Sequence, residues 1–173
     1  MTETAAPTPA PAIQPKRRRW GRTALEFGAI LAIYFAIRGY QTRNLVVGEA
    51  PELPSTLIDG TPSPEAPVAV HFFASWCGVC EMEAGNVRTL ASHHSVLAIA
   101  SQSGDDDAVR DYLVEHDLGA AAIAVDPRGT LAQQFGVHAF PATFFLDAAG
   151  RIVASEVGYT STLGLLLRAW WAR

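Results

Sequence analysis

Apolar positions in this chain fall into one long run, a gap, and then a regular series of short bursts. The long run, 24–37, is apolar except for Glu26 and continues into Gly39 and Tyr40. It predicts a helix with no polar face. The gap is 44–67, where Pro51, Pro54, Pro62, Pro64 and Pro67 break any period. It reads as an extended linker or irregular lead-in, with a short strand at 57–58. Runs at 68–74, 96–100 and 121–125 have strand length and are largely apolar, the pattern of buried strands. Helical spacing covers 80–93 and 105–116, the second placing Val109, Tyr112 and Leu113 on one side. A short helix at 130–135 ends at Gly136. Strands at 142–146 and 152–157 flank Asp147, Ala148, Ala149 and Gly150, a hairpin turn by composition. A last helix, 160–172, carries Leu163, Leu166, Leu167, Trp170 and Trp171, and packing on a sheet is expected to bury at least one tryptophan. Strand and helix alternate, then a hairpin and a helix follow. That order predicts an α/β domain with a central mixed sheet flanked by helices.

Charge adds a topology to this pattern. The net charge of −4 hides an asymmetry. Lys16, Arg17, Arg18, Arg19 and Arg22 precede the long apolar run, whereas from Asn44 onward 15 acids face 6 arginines, with no lysine. The folded part is therefore acidic, which argues against nucleic acid as a partner. A basic cluster before an apolar run reads as membrane topology, with the N-terminus cytoplasmic and the rest exported. No A-x-A cleavage pattern follows, so an uncleaved anchor is preferred to a signal peptide. Arg38 would snorkel, and Glu26 would pair with Arg22 one turn away. The expected organisation is a disordered basic tail at 1–22, a transmembrane anchor at 23–40, a linker at 41–67 and a catalytic domain at 68–173.

Only two cysteines are present, Cys77 and Cys80. Two cannot build a disulfide scaffold or fill a four-ligand zinc site. They follow a buried strand and open a helix. A thiol at a helix N-terminus faces unpaired N–H groups and the positive dipole end, which favour thiolate. Cys80, one turn on, can close a disulfide after a mixed disulfide forms. Gly78 lets a partner approach, Val79 adds no charge, and Trp76 flanks the sulfur. A permanent structural disulfide is the lesser reading, because so small a loop removes little unfolded-state entropy. A Cu(I) site using both thiolates, helped by His71 or His138, is another. Asp105, Asp106 and Asp107 read as a solvated helix start, not a calcium site.

The segment from Val70 through His71, Phe72, Phe73, Ala74, Ser75 and Trp76 to Cys77-Gly78-Val79-Cys80 resembles the active-site strand and helix start of thioredoxins. More closely, residues 16–173 resemble membrane-anchored protein disulfide oxidoreductases of the suppressor-of-copper-sensitivity D type, relatives of the TlpA-like thioredoxins. The likeness includes Ser103-Gly104-Asp105-Asp106, Gly136-Val137 leading to Pro141, and Gly158-Tyr159-Thr160-Ser161 before Trp170-Trp171. It implies a thioredoxin-like fold and an exported enzyme exchanging or reducing disulfides in exported proteins. It also implies a single-pass inner-membrane protein with a periplasmic domain, a transmembrane electron donor of the DsbD-like type, and a link to copper tolerance. No cofactor beyond the redox-active pair is expected. A cis bond before Pro141 is implied, with its loop facing Cys77. Two positions depart from the thioredoxin pattern. A buried acid usually stands where this chain has His71, and a small or β-branched residue usually precedes the loop proline, where this chain has Phe140. His71 is then either a proton acceptor for Cys80 or a plain strand residue. Two other functions remain in view, an apocytochrome c thiol reductant and a copper-binding module without turnover.

Overall fold

The computed structural model describes residues 17–172. Residues 1–16 of the tail expected at 1–22 lie outside them, as does the Arg22 side chain on which the Glu26 pairing depends, while 17–22 are helical instead of disordered. The chain divides into two compact units, 1–37 and 38–173.

The first unit consists of most of helix α1 (Arg17–Thr42). Its described large apolar side chains are exposed, Leu25 at 75% and Phe35 at 67% among them. No helix among the described residues is long and apolar enough to cross a membrane. The uninterrupted apolar stretch runs only from Phe27 to Ile37, between Glu26 and Arg38. At 1.5 Å per residue it covers roughly 16 Å, against a hydrocarbon core of about 30 Å.

The second unit is a six-stranded sheet in the order β1-β6-β5-β2-β3-β4. Strands β2 (Ala69–Phe73), β3 (Val96–Ser101) and β4 (Ala122–Asp126) run parallel. Strands β5 (Ala142–Leu146), β6 (Arg151–Val157) and β1 (Gly48–Glu49) add antiparallel pairings, so the sheet is mixed as expected. Helices α2 (Gly78–Ala91), α3 (Asp106–Glu115), α4 (Thr130–Gln134) and α5 (Thr162–Trp171) connect or close the strands. The fully buried β2 and β3 account for their near-continuous apolar sequences. One core face holds Phe73, Val87, Leu90, Phe145 and Leu165, beneath α2 and α5. The other holds Val70, Phe72, Phe135 and Phe144.

Three details differ from the sequence reading. The compact unit reaches back into the presumed linker: Leu45 is buried, Val46 N–H donates to the Phe135 carbonyl at 3.2 Å, and Gly48–Glu49 pairs with β6. Prolines conceal this because the segment carries no alternation of its own. The strand expected at 57–58 is a single bridge between Thr56 and Pro62. Both Trp170 (70%) and Trp171 (64%) are exposed, because α5 turns Leu165 and Ala169 inward instead.

Gly136 joins the lead-in to the sheet. Its φ is +71°, and a Cβ there would overlap the Asn44 carbonyl oxygen. Gly136→Ala is therefore expected to destabilise by at least ~1–3 kcal/mol, through strain at positive φ plus displacement of the 44–46 backbone. A thermal melt checks this, and an unchanged Tm would show that the lead-in yields freely.

Candidate active site

Strand β2 occupies the middle of the sheet and ends at Phe73, beside the parallel edge of β3. The chain leaves it, turns through Ala74, Ser75 and Trp76, and enters α2 at Cys77. Cys77 N–H donates to the Ala74 carbonyl at 3.1 Å, which makes the turn tight. Cys77 is the N-cap of α2, and its Sγ accepts the Cys80 N–H at 3.2 Å. The sulfur therefore occupies the place where a helix start offers unpaired donors, an arrangement that stabilises thiolate. Cys77 and Cys80 are joined in a disulfide with Cα atoms 5.2 Å apart. Cys77 is 8% exposed and Cys80 3%, so the first sulfur is the nearer to solvent. A Cβ at Gly78, between the two cysteines in sequence, would meet nothing within 4 Å.

The surroundings come from three loops. Trp76 is 64% exposed and is held by its Nε1–H, which donates to the Gln102 carbonyl at 2.9 Å. Gln102 has φ +53°, rare for a side chain of its size, and this conformation turns its carbonyl to the indole. Next to it, Ser75 N–H donates to Ser103 Oγ at 3.0 Å. The loop after β3 thus fixes the turn before Cys77. From the opposite side comes the Phe140–Pro141 loop, whose peptide bond is cis. The Phe140 ring meets Trp76 edge-to-face, with centroids 5.8 Å apart. Pro141 is anchored from behind by Gly158 N–H on its carbonyl at 2.8 Å. Trp76 and Phe140 form one aromatic wall, extended along α2 by exposed Val79 and Met82.

His71 lies on the face of β2 that carries Phe73, with the two rings stacked at 6.2 Å. It is 2% exposed, and its Nδ1 shares a 2.9 Å hydrogen bond with Thr143 Oγ1 on β5. Burial pushes its pKa down to about 4, so the imidazole is neutral across the physiological range. The sequence reading missed Glu83. It is 1% exposed and stands one turn beyond Cys80 on the buried side of α2. Its Oε1 accepts the Thr160 N–H at 2.9 Å, and its Oε2 has no hydrogen-bond partner among the described residues. Burial pushes its pKa up to about 7; the Thr160 N–H opposes this, and the Glu156 carboxylate adds to it. A signal was available in the sequence. Cys80, Glu83, Ala84, Val87 and Leu90 follow i, i+3, i+4, i+7 spacing, which places one acid on an otherwise inward stripe.

His71 with Thr143 on the sheet, and Glu83 one turn beyond Cys80 on the buried side of α2, are thus buried polar groups of this half of the domain. Trp76 and Phe140 pack on each other beside the turn that enters α2. Among the described residues no group of three or more His, Cys, Asp or Glu side chains is placed to hold a metal ion.

Comparison with known proteins matches this geometry. The Redoxin family matches residues 55–164. A thioredoxin-like protein from Haemophilus influenzae is 30% identical over 107 residues, 61% of this chain and 63% of that protein. A DsbE homolog from Paracoccus denitrificans, a thiol:disulfide interchange protein, is 36% identical over 89 residues, 51% of this chain and 49% of that protein. The chain thus spans about half to three-fifths of these relatives' lengths. A thiol:disulfide interchange protein of the thioredoxin family from Chlorobium tepidum superposes with a TM-score of 0.60 at 22% identity, over 73% of this chain and 97% of that one. The fold is therefore thioredoxin-like, with its cysteine pair inside the matched segment, and the chain belongs to the Redoxin family.

Proposed function

We propose that this protein is a thiol–disulfide oxidoreductase acting on exported proteins. The observation that carries the reading is a buried disulfide whose first sulfur caps a helix N-terminus beside an open surface. In the reduced enzyme the Cys77 thiolate attacks a client disulfide. One client sulfur becomes linked to Cys77, and the other leaves as thiolate and takes up a proton. Cys80 then loses its proton and attacks Cys77 Sγ. The client is released as a dithiol and the Cys77–Cys80 disulfide forms, so two electrons pass from enzyme to client. In this reading Glu83, one turn on from Cys80, or His71 on β2 accepts the Cys80 proton. An external dithiol, in this reading a transmembrane donor of the DsbD-like type, resets the pair.

Helix α1 is the proposed membrane tether. The basic run at its N-terminal end and the exposed Leu25, Phe27, Ile30 and Phe35 support this. Export follows from the same charge arrangement, in a compartment where client disulfides persist.

The test is mixed-disulfide trapping with Cys80→Ser in cells, followed by membrane fractionation. Exported clients recovered with a membrane-bound enzyme are expected. Copper exposure should enlarge the trapped set, and apocytochromes in that set would identify cytochrome maturation instead. A trapped set of cytosolic proteins, or none, would overturn the reading.

Phe140 is expected to shape client choice. Phe140→Thr opens the aromatic wall, so KM for a peptide with a bulky apolar residue beside its cysteine should rise about 3- to 10-fold, as loss of roughly 1 kcal/mol of ring contact implies. Its kcat should change little. A fall in kcat at constant KM would place Phe140 in the chemical step instead.

A further inference from the structure

The loop after β3 that holds Trp76 is itself held from β4. Ser101 and Asp126 end their strands in register. The next residue, Gln102, donates its N–H to the Asp126 carbonyl at 2.9 Å, while its own carbonyl accepts the Trp76 indole N–H. Between these two bonds its φ is +53°, uncommon for any residue but glycine. The Asp126 carbonyl also accepts the Gly129 N–H at 3.0 Å. Gly129 has φ +69°, and a Cβ there would stand 2.7 Å from Gln102 Nε2 and 3.1 Å from its Cγ. The Gln102 side chain therefore lies against the bare glycine.

The Asp126 carboxyl, 5% exposed, ties these pieces down. Its Oδ2 accepts the Ser101 hydroxyl at 3.2 Å and the Ala132 N–H at 3.0 Å, and its Oδ1 accepts the Thr130 hydroxyl at 3.2 Å. Gly129, the N-cap of α4, has no side chain to offer the first turn, and Asp126 takes that role from three residues back. Ser103 continues the support, donating to the Ser101 carbonyl at 3.0 Å and accepting the Ser75 N–H. One buried acid thus joins the end of β3, the start of α4 and, through Gln102, the Trp76 indole. Truncating it would strand buried donors and release the 127–129 loop on which Gln102 leans.

We propose that Asp126, Gln102 and Gly129 are positioning residues for Trp76, holding its indole against Phe140 so that this aromatic surface is formed before a client arrives. That a client meets Trp76 rests on the exchange reading above, but the holding of the indole does not.

Two readouts on the full chain test this: hydrogen exchange of the Trp76 Nε1–H by NMR, and KM and kcat for a synthetic disulfide peptide. In Asp126→Ala the indole N–H should exchange about 3- to 10-fold faster, the factor expected from loss of one hydrogen bond. KM should rise by a similar factor with kcat little changed, because client binding is weakened and the cysteine chemistry is not. Asp126→Asn keeps an acceptor for the Ala132 N–H and should restore both. Gly129→Ala and Gln102→Val disturb Gln102 while leaving the carboxyl in place, and they carry the test if Asp126→Ala does not fold. Both should quicken the exchange, whereas Gln102→Asn, which tolerates positive φ, should not. In a Trp76→Phe background, with no indole to hold, Asp126→Ala should add no further rise in KM. Unchanged indole exchange in Asp126→Ala, or in both loop variants, overturns the proposal. An equal rise in KM with and without Trp76 overturns it too, since Asp126 would then act on the fold at large. A wild-type protein that exchanges no disulfide defeats the exchange reading while leaving the indole measurement readable.

Discussion

Cys77→Ser is expected to reduce disulfide exchange to the uncatalysed rate, and Cys80→Ser to stop the cycle after one covalent step. The chain holds no third cysteine to substitute for either. Cys77 caps α2 and is the more exposed sulfur, so its reduced form should have the lower pKa and meet the client first. Cys80 lies within the helix at 3% exposure, reached from Cys77 more easily than from solvent. Purified Cys80→Ser should release one client thiol per enzyme molecule and then stall as a mixed disulfide. Alkylation of the reduced wild type near pH 6 should label Cys77 first. Preferential labelling of Cys80, or a stalled adduct on Cys80 in the Cys77 variant, would reverse the roles.

The second large effect is a pair of opposed pH dependences of stability. Glu83 titrates near 4.5 when unfolded and at about 7 in the native protein. Between these values the unfolded chain has lost a proton that the native state keeps. Raising the pH through that window therefore costs stability, about 3 kcal/mol in all, with the full penalty present above pH 7. His71 behaves in the opposite sense. It titrates near 6.5 unfolded and at about 4 native, so the unfolded chain binds a proton the native state refuses. Its contribution is intact above pH 6.5 and is lost as the pH falls to 4, again about 3 kcal/mol. From pH 4.5 to 6.5 the two slopes nearly cancel. Calorimetric melting of single variants should separate them. Glu83→Gln should lose Tm steeply on acidification through that range. His71→Asn, which keeps a polar partner for Thr143, should gain Tm on acidification. Variants that track the wild type throughout would mean that neither group titrates as its burial dictates.

The two opposed shifts also change which of these groups titrates near neutrality. An ordinary histidine changes charge near neutrality, which made His71 the natural candidate from sequence. In the folded protein β2 is covered on both faces, and His71 is pushed out of that window while Glu83 is pushed into it. Neither displacement has a sequence signature beyond the inward stripe of α2. Both come from removal of water, which depends on what packs above and below.

The sequence by itself determined the strands and helices of the domain, apart from β1 and the bridge at Thr56, and the placing of Cys77 and Cys80 at a helix start. Apolar runs of strand length, helical spacing and the turn residues at 147–150 act over a few residues, so local pattern suffices. The Cys77-Gly78-Val79-Cys80 element is likewise local, since strand end, cap and first helical turn are contiguous. Only the tertiary structure decided what depends on residues distant in sequence. It brought the lead-in at Leu45 and Gly48–Glu49 onto the sheet and set Phe140 against Trp76, 64 positions away. It exposed both C-terminal tryptophans and aligned His71, Thr143 and Glu156 in one row across the sheet. Strand order and register create these neighbours. They are selected by the packing of two faces of one sheet, a global balance that no short stretch of sequence encodes.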